Sequence, residues 1–164
     1  MWNIKKITIL LCFLSLVAFI SCSAEDKTGG DTGGETGDEI ETTEETTDFP
    51  HYGIYRDDNI WKGWNKYDFD TKVSTASGKT TIIGYSMNKK TKSAQKFGFD
   101  ISKWKKETTK SGKITFKAVE PVVETGYNFT DISIVYYYDT KTLKITFKIG
   151  ADCSFEGKLS RYNM

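Results

Sequence analysis

The chain has 164 residues, and its 23 lysine and arginine residues nearly balance 22 aspartate and glutamate residues, giving a net charge of +1. This length allows one folded domain of ordinary size and a terminal extension. The single histidine disfavours a histidine-based metal site and a Ser-His-Asp triad, and the chain contains none of the common nucleotide-binding, zinc-protease or hydrolase motifs.

The first 21 residues have the pattern of a signal peptide. Lys5 and Lys6 precede an apolar run over residues 7–20, which only Thr8 and Ser15 interrupt. A charged segment followed by a short apolar run is typical of export signals. The run is shorter than the roughly 20 residues that a membrane-spanning helix needs. We therefore expect residues 1–21 to be removed on export.

The residues around Cys22 resemble the lipobox of bacterial lipoproteins. Phe19-Ile20-Ser21 precede Cys22, which is similar to the relaxed lipobox of spirochaete and Bacteroidetes lipoproteins, although Leu is the usual residue in place of Phe19. The resemblance implies a diacylglycerol (palmitate among its acyl chains) on Cys22 and cleavage before this residue. Several acyl chains on one residue suffice for stable anchoring. We expect a cell-envelope lipoprotein of the outer membrane, displayed at the cell surface.

Residues 22–48, which we call the acidic tether, differ in composition from the rest of the chain. They contain ten acidic residues and one basic residue, and Ile40 is their only large apolar residue. Such a composition buries too little apolar surface to offset the entropy lost on ordering. The sequence therefore predicts a disordered, extended segment between the lipid and a domain over residues 49–164.

Residues 49–164 have the alternating pattern of an all-β domain. In Leu143-Lys144-Ile145-Thr146-Phe147-Lys148-Ile149 each apolar residue is followed by a polar one until the run ends, as expected for a strand with one buried face. Turn residues separate the segments. About eight strands are predicted, over residues 52–56, 60–69, 80–87, 95–101, 114–119, 131–138, 143–149 and 155–159. The best helix candidate covers residues 102–109.

Close spacing of short strands predicts an antiparallel β-barrel or a β-sandwich, and the pattern alone does not separate them. Gly53-Ile54-Tyr55 at the domain start and Arg161 near the chain end weakly resemble the G-x-W element and the basic residue of lipocalin-like barrels, with Tyr in place of Trp. This resemblance implies a barrel that carries a small apolar molecule.

The residues that bear reactive groups favour structural roles. We expect His51 to be solvated and Cys153 to be a small buried hydrophobic residue. The acidic pairs Asp57-Asp58 and Asp68-Phe69-Asp70 suit turns better than calcium, which needs more oxygen ligands at set spacing. No cofactor, no metal and no enzymatic activity is predicted.

Exposed aromatic and basic residues are the candidate ligand contacts. Tyrosine and tryptophan offer large contact areas at low entropic cost, and residues 88–117 hold ten lysines against two acidic residues. The lysines suit an anionic glycan, an acidic host protein or the chain's own acidic tether, and no nucleic-acid partner is expected for an exported protein. The candidates are Trp61, Trp64, Tyr67, Tyr137, Lys103, Lys105 and Lys106.

The sequence thus predicts a lipid-anchored binding module for a host macromolecule or a glycan. The alternative is a lipocalin-like carrier with an apolar interior cavity. The oligomeric state is not predicted.

Overall fold

A computed structural model describes residues 38–58 and 70–162. Over these residues the chain is all-β, with no helix and eleven strands. The strands are β1 (Ile40–Thr46), β2 (Gly53–Arg56), β3 (Thr71–Ala76), β4 (Lys79–Asn88), β5 (Ala94–Ile101), β6 (Lys103–Thr109), β7 (Ile114–Val119), β8 (Val122–Val123), β9 (Thr130–Tyr137), β10 (Thr142–Lys148) and β11 (Asp152–Tyr162).

The strands form one antiparallel sheet that curves into a barrel. Their order is β1-β6-β7-β9-β10-β11-β2-β3-β4-β5-β8, and β11 also pairs with β4 at Cys153 and Asn88. Ser102 alone separates β5 from β6, so one bent segment contributes strands near both ends of this order. These two connections make the sheet a barrel, with β1 and β8 as additional edge strands. Of the two architectures that the sequence allows, the domain is therefore a barrel and not a sandwich.

The barrel interior is filled with aromatic and aliphatic side chains. Alternate residues of β4, β5, β9, β10 and β11 point inward, as the period of two in the sequence predicts. The Trp104 ring is fully buried, and its Nε1–H donates a hydrogen bond to Thr80 Oγ1. The largest fully buried side chains are Trp104, Tyr55, Tyr136, Phe97, Phe99, Phe147 and Phe155.

The β3–β4 hairpin is closed by the shortest kind of turn. Ser77 and Gly78 both have positive φ angles, of 51° and 75°, the arrangement that matches the right-handed twist of paired strands. The sequence marks this turn as a break, but β3 itself was not predicted. Only Thr71 and Val73 of this strand are buried, so its apolar signal is a single valine.

The prediction that the whole acidic tether is disordered is wrong for its last part. Residues 40–46 form β1, which pairs with β6 in a register that sets Glu44 opposite Lys106 and Thr46 opposite Trp104. Repulsion among the acids opposes order only while they face one another. Here they face lysines of a neighbouring strand. The compact unit includes residues 38–48 as well as those that follow.

The helix candidate at residues 102–109 is not helical, because residues 103–109 form β6. It is hydrogen-bonded to β1 on one side and to β7 on the other, and such pairing overrides a local helix preference. The strand predicted over residues 60–69 lies outside the described residues. The remaining seven predicted strands correspond to β2, β4, β5, β7, β9, β10 and β11.

Phe49 connects the N-terminal edge strand to the core. Its ring is 3% exposed and lies 4.8 Å from the Trp104 ring and 4.9 Å from the Tyr136 ring, centroid to centroid. We expect Phe49→Ala to lower the free energy of unfolding by about 3–5 kcal/mol, the usual cost of deleting a buried aromatic side chain. Urea denaturation measures this change.

The control for this variant is Ile40→Ala. Ile40 is 50% exposed in β1, so its truncation should change the free energy of unfolding by no more than about 0.5 kcal/mol. A Phe49→Ala variant as stable as Ile40→Ala would contradict the placement of Phe49 in the core.

Candidate functional site

The three lysines singled out in the sequence do not share one surface. Successive residues of a strand point to opposite faces, so Lys103 and Lys105 project from the outer face of β6 and Lys106 from the other. Lys106 Nζ lies 2.6 Å from Glu44 Oε1, and Lys103 Nζ lies 3.1 Å from Glu45 Oε2. These two lysines therefore already contact acids of β1.

Lys105 belongs to a cluster on the outer face. Its Nζ lies 3.0 Å from one carboxylate oxygen of Glu107, and Lys117 Nζ lies 2.7 Å from the other. The Glu107 side chain is only 6% exposed. Burial by itself raises the pKa of Glu107, but hydrogen bonds from Lys117 and Lys105 outweigh that effect and leave the pKa below its usual value.

Acids at the start of the described chain extend the same pattern. Glu39 pairs with Lys110, and Asp38 pairs with Lys113 and accepts hydrogen bonds from Ser111 and Thr109. The hydrogen bond from Ser111 is the main cause of the lowered pKa of Asp38. The sequence suggested three polyanions that could contact the lysine-rich stretch. One of them, the acidic segment of the same chain, therefore occupies part of this stretch.

The aromatic candidates are only partly described. Trp61, Trp64 and Tyr67 lie outside the described residues, as does Cys22. Tyr137 is 41% exposed on the outer face of β9, where it lies opposite Thr115 of β7. Its neighbour Tyr136 is fully buried, so these two successive tyrosines point to opposite faces of the sheet.

One end of the barrel bears a groove of about 310 Å³, which we call the end groove. Its apolar lining includes Pro50, Ile114, Phe116 and Tyr138, and its polar lining includes the Glu44–Lys106 ion pair. This volume is at the lower end of the roughly 300–1,000 Å³ of ligand pockets. The groove therefore suits one small unit of a larger ligand. Thr46 and Asp48 complete the lining.

An aromatic cluster supports the groove at Tyr138. The Tyr138 ring is 38% exposed and stacks on the His51 ring at a centroid distance of 5.1 Å. The hydroxyl of Tyr136 is hydrogen-bonded to His51 Nδ1, and Tyr162 packs edge-on against the same imidazole. Tyr138 is thereby held in place while part of its ring faces solvent.

The prediction that His51 is merely solvated is wrong. Besides its contacts with three tyrosines, its backbone carbonyl accepts a hydrogen bond from the Tyr55 hydroxyl at 2.7 Å. Burial, and next the positive charge of Lys141, lower the pKa of His51. The ring is therefore largely neutral at pH 7, and burial also raises the pKa of the Tyr136 hydroxyl to about 12.

The other polar candidates have structural contacts. Cys153 is 1% exposed, as predicted for a buried thiol. Asp57 Oδ2 accepts a hydrogen bond from the Glu156 backbone N–H, and Asp70 accepts two from the Arg56 guanidinium. Asp68 lies outside the described residues. Within residues 38–58 and 70–162, there is no group of three or more His, Cys, Asp or Glu residues that could hold a metal ion.

The structure gives little support to the lipocalin-like features on which the carrier alternative rests. Tyr55, the counterpart of the lipocalin-like tryptophan, is fully buried. Arg161, however, lies opposite Ile54 and is exposed. Large rings occupy the interior in which a carrier would hold its ligand.

Sequence reasoning missed the end groove. Its residues come from three distant parts of the chain, and only the pairing of β1, β6, β7 and β9 brings them together. The exposed end of the run Tyr136-Tyr137-Tyr138 was the one available signal. It drew attention to Tyr137 rather than to Tyr138.

Comparisons with known proteins find no relative: no family model matches the chain, and neither a curated protein nor a solved structure matches it significantly. In the part of the chain that the structure describes, no helix is long and apolar enough to cross a membrane.

The Glu107 cluster predicts a dependence of stability on pH. Because the pKa of Glu107 in the folded protein lies below the usual glutamate value of 4.5, the ionised carboxylate stabilises the fold above that value. The contribution is lost as the pH falls through the folded-state pKa. We expect Glu107→Gln to be less stable than wild type by about 1.5–3 kcal/mol at pH 7.

Denaturation of both proteins between pH 2 and pH 7 measures this effect. The difference between them should be constant near neutrality and should shrink below about pH 4.5, the unfolded-state value. A difference that stays the same down to pH 2 would contradict the proposed charge pairing.

Proposed function

We propose that this protein is a lipid-anchored lipoprotein of the bacterial cell surface whose β-barrel binds a glycan through the end groove. The observation that carries the proposal is the Tyr138 ring, which is partly exposed beside the groove and backed by His51. Binding takes place without chemical conversion of the ligand. Anchoring through Cys22 would hold the barrel at the membrane and present the groove to ligands outside.

The shape and chemistry of the groove suit a sugar ring. A tyrosine face packs well against the apolar C–H face of a pyranose, and its two rotatable side-chain bonds limit the entropic cost of contact. Phe116 and Ile114 extend the apolar surface. One terminal sugar fits the volume of about 310 Å³, so affinity would come from several such contacts along a longer glycan or between neighbouring copies.

The polar lining supplies partners for sugar hydroxyl groups. Glu44 and Asp48 offer carboxylate oxygens as acceptors, and Lys106 offers an ammonium group as a donor. Glu44 and Lys106 already neutralise each other, which favours a neutral glycan over a polyanion at this position. The carrier alternative has less support, because fully buried aromatic rings fill the barrel interior.

The two exposed tyrosines of the same run provide a test with a matched control. Tyr138 borders the groove, whereas Tyr137 has similar exposure on the opposite face of the sheet. On a glycan array, Tyr138→Ala should lower the affinity of the full-length protein for its bound glycans at least tenfold. Each stacked ring contributes about 0.5–1.5 kcal/mol beyond the area that it buries, and the loss recurs at every such contact along the glycan.

Tyr137→Ala should bind as wild type does, and Tyr138→Phe should retain most of the affinity because the ring remains. Equal losses for the Tyr137 and Tyr138 variants would contradict a site in the groove. Binding to host proteins but to no glycan, with the same dependence on Tyr138, would make the ligand a protein.

The anchor is tested by metabolic labelling with an alkyne fatty acid. Cys22→Ala should abolish labelling, because the thiol is the proposed site of the thioether to diacylglycerol. Cys12→Ala is the matched control: it changes another cysteine of the N-terminal segment, and labelling should be unchanged. Incorporation of the label into the Cys22→Ala protein would contradict the proposal.

A further inference from the structure

Strand β1 is attached to the barrel mainly by backbone hydrogen bonds and ion pairs. Within residues 38–58 and 70–162 it pairs with β6 alone, at the edge of the sheet order, and six of its seven residues are exposed. Ile40, its one large apolar side chain, is 50% exposed. Backbone hydrogen bonds and ion pairs therefore hold β1, with little apolar burial to stabilise it.

These contacts permit β1 to leave while the barrel stays folded. Glu39 and Glu45 are 74% and 63% exposed in their ion pairs, and exposed pairs of this kind contribute little. Phe49 lies in the core just after β1, so detachment stops there. Strand β6 keeps its pairing with β7 from Lys103 to Thr108. Edge segments of this kind open at a lower free energy than the core.

The departure of β1 would expose a specific acceptor surface. The free edge of β6 presents unpaired backbone N–H and C=O groups, which readily bind another extended chain. The same departure removes the acidic partners of the lysines along this edge, namely Lys103, Lys106, Lys110 and Lys113. The open edge is therefore both a strand template and a basic row.

We propose that the β6 edge is a binding site for an acidic, extended segment of another polypeptide, and that β1 is the exchangeable occupant held within the same chain. The register of β1 defines the partner: acids where Glu44 and Glu45 lie opposite Lys106 and Lys105, two threonines directly before them, and a further acid near Lys110. Because β1 is tethered, a partner competes with a local concentration in the millimolar range. Only a segment that matches the register and the charges displaces it.

This proposal does not rest on glycan binding and has its own probe, although the end groove shares Glu44 and Thr46 with β1 and Lys106 with β6. The probe is a fluorescent peptide with the sequence of residues 38–48, DEIETTEETTD. The first variant of the full-length protein is Glu39→Lys with Glu45→Lys, which sets like charges against Lys110 and Lys103. It leaves every residue of the end groove unchanged. Hydrogen exchange of the β1 and β6 amides reports whether β1 is open.

We expect the peptide to bind this variant at least tenfold more tightly than wild type, measured by fluorescence anisotropy, and to restore the protection of the β6 amides. Adding Lys103→Glu and Lys110→Glu should abolish binding. A peptide with proline at the positions of Thr42 and Thr43 keeps all its charges but loses a ladder donor, because alternate residues of a strand face its partner. This peptide should bind at least tenfold more weakly.

Three results would overturn the proposal. The first is equal binding of the proline peptide, since charge alone would then account for the affinity. The second is no binding although hydrogen exchange shows an open β6 edge. The third is a β1 that stays protected both in the Glu39→Lys, Glu45→Lys variant and in a second variant with Thr42→Pro and Thr43→Pro, because β1 would then be a permanent part of the sheet.

Discussion

The bend at Ser102 is the constraint on which the rest of the fold depends. Ile101 and Trp104 are both buried although three positions separate them, because the chain turns at Ser102 and changes the side that enters the core. This turn allows one segment to pair with β4 as β5 and with β7 as β6. The Trp104–Thr80 hydrogen bond then joins β6 to β4 beside this bend. Barrel closure, the β6 edge and the end groove all follow from this geometry.

Sequence patterns predict those elements whose burial alternates strongly. Strand β10 was predicted because Leu143, Ile145 and Phe147 alternate with polar residues, and β9 because it is rich in β-branched and aromatic residues; the two strands pair in the structure. Strands β1 and β3 were missed because they bury almost nothing apolar. Their stability comes from pairing with distant strands, and a local pattern does not contain that information. The same limit explains why the best helix candidate falls on β6.

The candidate sites, too, were predicted from the sequence only in part. Charge counting found the lysine-rich stretch but not the faces on which Lys103, Lys105 and Lys106 project, nor that β1 would supply acids to two of them. The tyrosine run indicated exposed rings, yet the supported ring is Tyr138. Its support comes from His51, 87 positions away in the sequence, and only the folded barrel brings the two together.

The position of Phe49 also has a mechanical consequence. A pulling force applied to the chain upstream of Asp38 first loads the contacts of Asp38 and Glu39 and then reaches the end of β1, where Ile40 lies opposite Thr109. Pulled away from the sheet, the ladder opens one residue pair at a time, which needs far less force than sliding two strands past each other. The force meets the packed interior at Phe49, against Trp104 and Tyr136. Residues 40–48 are thus a short extensible element that lengthens under tension before the barrel is disturbed.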